Sequence, residues 1–192
     1  MPAHDRKLSM DELGRATPEA MARLPRHRLR LVLDDLRSRH NVGSLFRTAD
    51  AFALEGISLC GQTPVPPHRE IEKTALGATR TVPWVHETDV LAAVERLKAS
   101  GYTVLAVEQT LHARDIATYQ PPAGRPLALV LGNELNGVAD RVVEACDACL
   151  VLPQHGAKHS LNVAVCGGIA VWWLAGRHPP PGPTAPFPPH TA

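Results

Sequence analysis

The sequence predicts an α/β fold with a mostly parallel sheet and flanking helices, and three observations predict it. Apolar runs of strand length alternate with stretches of helical periodicity along most of the chain. One run, "LALVLG" at 127–132, is unbroken and apolar, as a central strand covered on both faces must be. Cap and stop residues bound the helical stretches, for instance Thr88 before and Gly101 after "DVLAAVERLKAS". At 192 residues the chain is long enough for one domain with a substantial core, plus short appendages.

The elements follow in order. "SMDE" at 9–12 fits a capping box, and "TPEA" at 17–20 sets Thr17 at an N-cap with Pro18 at the first helical position. "LRLVLDD" (29–35) reads as a strand and 41–52 as a helix that packs Val42, Leu45, Ala49 and Phe52 inward. "GISLCG" (56–61) is a second strand. A Pro-rich loop leads to a short helix around "IEKTALGA", and "TVPWV" (81–85) is extended. The helix capped by Thr88 precedes strand 102–108, after which come the strand "LALVLG", the helix "ADRVVEAC" and the strand "ACLVLP" (148–153). Ser160 is the expected cap of the last helix and Gly176 its end. We expect an N-terminal helical extension at 1–28, a core domain at 29–176 and a Pro-rich disordered tail at 177–192. Seven of the 18 prolines fall in the last 14 residues.

A formal net charge of +1 gives no bulk electrostatic argument for nucleic acid, but the distribution is uneven. Arg23, Arg26, Arg28, Arg30, Arg37 and Arg39 crowd residues 23–40 against Asp34 and Asp35, a cluster able to contact phosphates or simply to face solvent. Four cysteines in apolar contexts suggest a reducing compartment, and "CDAC" at 146–149 lacks the second pair that a zinc site requires. The polar N-terminus carries no signal-peptide pattern. The run "LNVAVCGGIAVWWLA" spans only about 22 Å as a helix, short for a bilayer. The expectation is a soluble cytoplasmic protein.

Ligands of open α/β sheets sit beyond the carboxyl ends of the strands. Three such ends are unusual here: "HNVGSLFRTADAF" (40–52), "GNELNG" (132–137) and "PQHGAKHSLN" (153–162). Arg47 has a plain alternative, an ion pair with Asp50 three residues on. His155 and His159 have no carboxylate or thiol beside them to complete a metal site, so no metal is expected. The chain lacks a Gly-x-Gly-x-x-Gly fingerprint, a Gly-Lys-Ser/Thr phosphate loop and a nucleophile elbow. These absences argue against a dinucleotide oxidoreductase, a P-loop NTPase and a serine hydrolase.

Together and in this order, "NVGSLFRTADAF", "LALVLGNELNGV" and "LPQHGAKHSLNVAVCGGIAVW" resemble the three signature motifs of the SpoU–TrmH branch of the SPOUT superfamily. The resemblance covers about residues 29–176, and "PPHREIEKTALGA" matches an intervening segment. It implies an S-adenosylmethionine-dependent RNA ribose 2′-O-methyltransferase, a C-terminal deep trefoil knot and a homodimer, without a metal. By the same resemblance Arg47, Asn41, Glu134, Ser160 and Asn162 are the catalytic set. The cofactor would lie against Gly132, Asn133, Leu152, Ser160 and Leu161, with Leu131 as a further apolar wall. Arg28, Arg30, Arg37 and Arg39 are the expected RNA contacts. tRNA is the expected substrate ahead of rRNA, by analogy with small members, and the competing reading is a catalytically silent RNA-binding dimer. The chain departs from the common pattern at His155 and at Lys158-His159, which add positive charge near the RNA entrance.

Overall fold

The computed structural model describes residues 6–9, 11–14, 17–21 and 23–177. The Pro-rich tail therefore lies outside the described residues apart from Arg177. In the N-terminal extension the capping-box bonds are present, with Ser9 N–H donating to Glu12 at 2.8 Å and Glu12 N–H to Ser9 Oγ at 3.3 Å. They close a turn rather than a helix. Thr17 accepts from Ala20 N–H at 3.3 Å and opens the one-turn helix α1, Pro18–Met21.

Seven strands form one parallel sheet: β1 (His27–Asp34), β2 (Leu54–Cys60), β3 (Trp84–Glu87), β4 (Thr103–Val107), β5 (Arg114–Asp115), β6 (Leu127–Leu131) and β7 (Ala148–Val151). Their order is β3-β2-β1-β6-β4-β7-β5, and every neighbouring pair is parallel. The expected fold class is therefore present. "LALVL" is indeed central, and it divides its residues by size. Leu127, Leu129 and Leu131 face one core, whereas Ala128 and Val130 face the other. Side chains alternate across a strand, so the leucine face carries the larger layer, α2 (Arg39–Ala51), α3 (Arg69–Ala75) and α6 (Val163–Arg177). The Ala/Val face holds α4 (Val90–Ala99) and α5 (Asp140–Ala145). Phe46 of α2 is fully buried among those leucines, which contributes roughly 1.5–3 kcal/mol.

Several boundaries differ from the sequence reading. Asp89, not Thr88, caps α4, accepting from Leu91 N–H at 3.1 Å. The helix begins at Val90, so the cap position falls on Asp89. The extended stretch starts later than expected, at Trp84, because Thr81 closes a 3-10 turn and Pro83 has no N–H for the ladder. Ser160 does not cap α6. Asn162 does, its Oδ1 accepting from Ala164 N–H at 2.9 Å and Val165 N–H at 3.3 Å. Gly176 lies inside α6, which runs to Arg177. β5, two residues at the sheet edge, has no counterpart in the sequence reading. No helix of the described residues is long and apolar enough to cross a membrane.

Candidate active site

The carboxyl ends of β1, β4, β6 and β7 all open on the same edge of the sheet. A cavity of about 500 Å³ lies there. Its walls come from Val107–Gln109 after β4, Leu131–Gly137 after β6, Leu150–Leu152 and Gln154 around β7, and Ser160–Val163 at the start of α6. All five residues expected to hold a cofactor, Gly132, Asn133, Leu152, Ser160 and Leu161, line it.

The turn after β6 shapes one wall. Asn133 and Gly137 exchange both backbone hydrogen bonds, at 2.9 and 2.8 Å, and Asn133 Oδ1 accepts from Leu135 N–H at 2.9 Å. Gly132 lines the cavity and also lets this turn close. A Cβ there would stand 2.2 Å from Gly137 C and from Val138 N, so the close approach is of the chain to itself. Glu108 braces the turn from below, accepting from Val138 N–H and from Gln109 N–H, each at 2.8 Å. Glu108 ends the strand expected at 102–108 and Gln109 follows it, both outside the three motifs. Their signal was a polar pair placed directly after an apolar strand.

A hydrogen-bonded chain ties the three motifs together. Asn162 Nδ2 donates to Asn41 Oδ1 at 3.0 Å, and Asn41 Nδ2 donates to Glu134 Oε1 at 2.9 Å. Glu134 also accepts from Arg37 N–H at 2.9 Å and Ser38 N–H at 3.0 Å. Burial pushes its carboxyl upward, but the donors Arg37 N–H, Asn41 and Ser38 N–H outweigh that and hold it below the usual carboxylate range. Glu134 is thus a fixed carboxylate that accepts and does not donate. Ser38 begins α2, its Oγ accepting from Asn41 N–H at 3.2 Å. On the far rim Gln109 Nε2 donates to the His159 carbonyl at 2.5 Å.

Arg47 is not in this network. It follows Asn41 by six residues on α2, which sets it roughly 9 Å along the helix and about 120° around it. It lines a second, shallow groove with Ser44, Thr48, Lys73 and Thr74. Nor is it paired with Asp50: Asp50 is engaged by Thr81 Oγ1 at 2.5 Å, and among the described residues Arg47 has no ion pair.

The arginines of residues 23–40 do not share one surface. Arg37 is exposed beside the cavity's Glu134 brace, and Arg39 is exposed and 3.7 Å from Glu70. Arg30, also expected as an RNA contact, is less open. Its side chain is only 17% exposed and is paired with Glu55 at 3.5 Å. Arg28 donates to the Gly124 carbonyl at 3.3 Å, before β6 begins. Both sit on the amino half of β1, at the opposite end of the sheet from the cavity. The thiols of Cys60 and Cys146 are pushed up to about 12 and that of Cys166 to about 11, mainly by burial. None is a nucleophile at neutral pH. Among the described residues, no three His, Cys, Asp or Glu side chains converge as metal ligands.

The profile of the SpoU rRNA Methylase family matches residues 28–172. A Staphylococcus saprophyticus protein, named as a TrmH family tRNA/rRNA methyltransferase, is 32% identical over 143 residues, 74% of this chain and 56% of that protein. The mouse tRNA (guanosine(18)-2′-O)-methyltransferase is 32% identical over 134 residues, 69% of this chain and 8% of that protein. The crystal structure of an AdoMet-bound rRNA methyltransferase from Sinorhizobium meliloti superposes with a TM-score of 0.73 at 27% identity, covering 81% of this chain and 59% of that one. This chain spans about half the length of the bacterial relatives it matches.

Proposed function

This chain belongs to the SpoU rRNA methylase family, and from that premise we propose that it transfers a methyl group from S-adenosylmethionine to a ribose 2′-hydroxyl of RNA, of tRNA ahead of rRNA. The observation that carries the reading is the chain of hydrogen bonds Asn162–Asn41–Glu134, which joins all three motifs at the rim of one cavity. The names of the relatives supply the rest: tRNA and rRNA in the bacterial one, a tRNA 2′-O position in the mouse one, bound AdoMet in the solved one.

The cavity residues fit that cofactor. A volume of about 500 Å³ suits a nucleoside with a short side chain. Leu131, Leu150, Leu152 and Leu161 offer apolar walls for a flat base, and Gln109, Asn133 and Gln154 offer amide groups for polar edges. When bound, the sulfonium supplies a methyl group already activated for transfer.

The chain's own groups then have to present the hydroxyl and stabilise the charge that develops on its oxygen. Arg47 is the group we assign to that charge. A guanidinium stays protonated in proteins, so it acts as an electrostatic stabiliser, and the proton leaves to phosphate or water. Asn41, Glu134 and Asn162 are positioning residues that hold motif one against the cavity, and Ser160 lies on its rim. Arg37 and Arg39, exposed beside it, are the RNA contacts.

Arg47 lies off its own chain's cavity, and this supports a homodimer in which it serves the partner's site. Val165, Ile169 and Trp172 form an exposed stripe on α6, 52%, 43% and 61% accessible, of the kind a second copy would cover. We also infer the deep trefoil knot. Its support is that β7 lies between β4 and β5, while α5 packs on one face of the sheet and α6 on the other. Four free cysteines agree with a cytoplasmic setting.

The test is to incubate the protein with labelled adenosylmethionine and total RNA, then map any methylated nucleotide. A 2′-O-methylated tRNA position is the expected result. Methylation of a base, or none, would overturn the reading.

A further inference from the structure

The groove between α2 and α3 has a built shape that the cavity chemistry leaves unused. Gly43 lets the helices touch. A Cβ on it would stand 2.1 Å from Thr74 Oγ1 and 2.3 Å from the Ile71 carbonyl, so any side chain there would force them apart. Thr74 Oγ1 then reaches across to donate to the His40 carbonyl at 3.0 Å. That contact fixes its neighbour Lys73 beside Arg47, one turn along α2 from Gly43, over an open space of about 520 Å³.

The electrostatics of this groove are one-sided. Three carboxylates lie on or near its helices, and each is held elsewhere. Glu70 faces Arg39 at 3.7 Å, Glu72 accepts from Thr79 Oγ1 at 2.8 Å, and Asp50 accepts from Thr81 Oγ1. Among the described residues neither Arg47 nor Lys73 has an ion pair, and the Ser44 and Thr48 hydroxyls lining the groove have no side-chain hydrogen bond. Two unopposed cations and two free hydroxyls around one concavity match the oxygens of a phosphodiester, which accept from both kinds of donor.

We propose that the groove between α2 and α3 is a phosphate subsite in which Lys73 and Arg47 together grip one phosphodiester of the substrate RNA. This rests on the RNA-methyltransferase reading above. Arg47 stabilises the reacting oxygen, and Lys73 contributes only binding and register. The contact is to the backbone, so it operates on tRNA and rRNA alike.

Lys73 also sits in the last turn of α3, where a cation complements the helix terminus. The test must therefore read RNA and not stability alone. Binding of a labelled RNA pool containing tRNA and fragmented rRNA is measured against salt for the full chain, for Lys73→Gln and for Lys73→Arg. Lys73→Gln should flatten the log–log salt slope by about 0.7, the loss of one phosphate contact to single-stranded RNA. KM for RNA should rise with little change in kcat, as loss of uniform binding requires. Lys73→Arg should restore both, and stabilisation by adenosylhomocysteine should be the same in all three. A Lys73→Gln slope equal to that of the unaltered protein overturns the subsite while leaving the function intact. An unaltered protein that neither binds RNA nor is stabilised by adenosylhomocysteine overturns the functional reading itself, and the subsite with it.

Discussion

Asn162 and Asn41, 121 positions apart in the chain, meet through one hydrogen bond of 3.0 Å at the mouth of the cavity. Asn162 gives its nitrogen to Asn41 and its oxygen to the backbone that opens α6. The two halves of one amide therefore carry different duties, and substitution can separate them. Asn162→Ala should cost about 1 kcal/mol of stability from the lost cap and most of the methyl transfer. Asn162→Ser should recover the stability, since serine caps as well, but not the activity. Thermal unfolding read beside a methylation assay checks both; recovery of activity in the serine variant would show that the bond to Asn41 is dispensable.

Gly132 gives a second expectation. Gly132→Ala sets a methyl group 2.2 Å from backbone that cannot yield without opening the turn. The expected cost is about 3 kcal/mol or more, with loss of the stabilisation by adenosylhomocysteine. Gly156 is the control, because a Cβ there meets nothing within 4 Å. Gly156→Ala should unfold at the same temperature as the parent protein.

The Glu134 carboxyl is held below its usual range, and the sign follows from that. A depressed carboxylate binds protons less readily folded than unfolded. Its contribution is present above the unfolded value of about 4.3 and is lost as pH falls through the lower folded value. Glu134 is exposed, so the effect on global stability is small. It should appear instead in ligand binding, with adenosylhomocysteine affinity falling on the acid side. Glu134→Gln should weaken binding at neutral pH and flatten that acid limb. A limb unchanged in Glu134→Gln would assign it to another group.

The position of Arg47 away from its own cavity makes the shared site testable. Arg47→Ala and Asn162→Ala are each expected to be inactive alone. Co-refolded in equal amounts, half of the dimers are mixed, and one of the two sites in each mixed dimer carries neither change. About a quarter of the parent activity should return, given random pairing across a two-fold interface. No recovery, with mixed dimers confirmed by mass, rules the shared site out. Trp172→Lys, in the exposed stripe of α6, should lower both dimer content and activity.

Much of this molecule was readable before any coordinate. The alternation of apolar strands with capped helices gave the sheet, because each local pattern agrees with the whole. The cavity-lining residues were legible too, since they follow strand ends in Gly- and Asn-rich turns. What stayed hidden depends on distance through space. β5 is two residues long and has no periodicity to detect. Arg30 looked exposed beside other arginines, but its partner Glu55 is on the neighbouring strand. Arg47 looked like a companion of Asn41 in one motif, and helical geometry turned it toward α3 instead. Ser160 is the cap the sequence suggests; the loop's path gives that duty to Asn162.

The Glu134 brace has one more consequence. The turn that forms a cavity wall is bonded, through one carboxylate, to the backbone of Arg37 and Ser38, where RNA is expected to lie. Whatever orders the turn also orders that loop. Thermodynamic reciprocity then applies: the factor by which cofactor tightens RNA binding equals the factor by which RNA tightens cofactor binding. The coupling between the two substrates thereby runs through one side chain, and severing it should make their affinities independent.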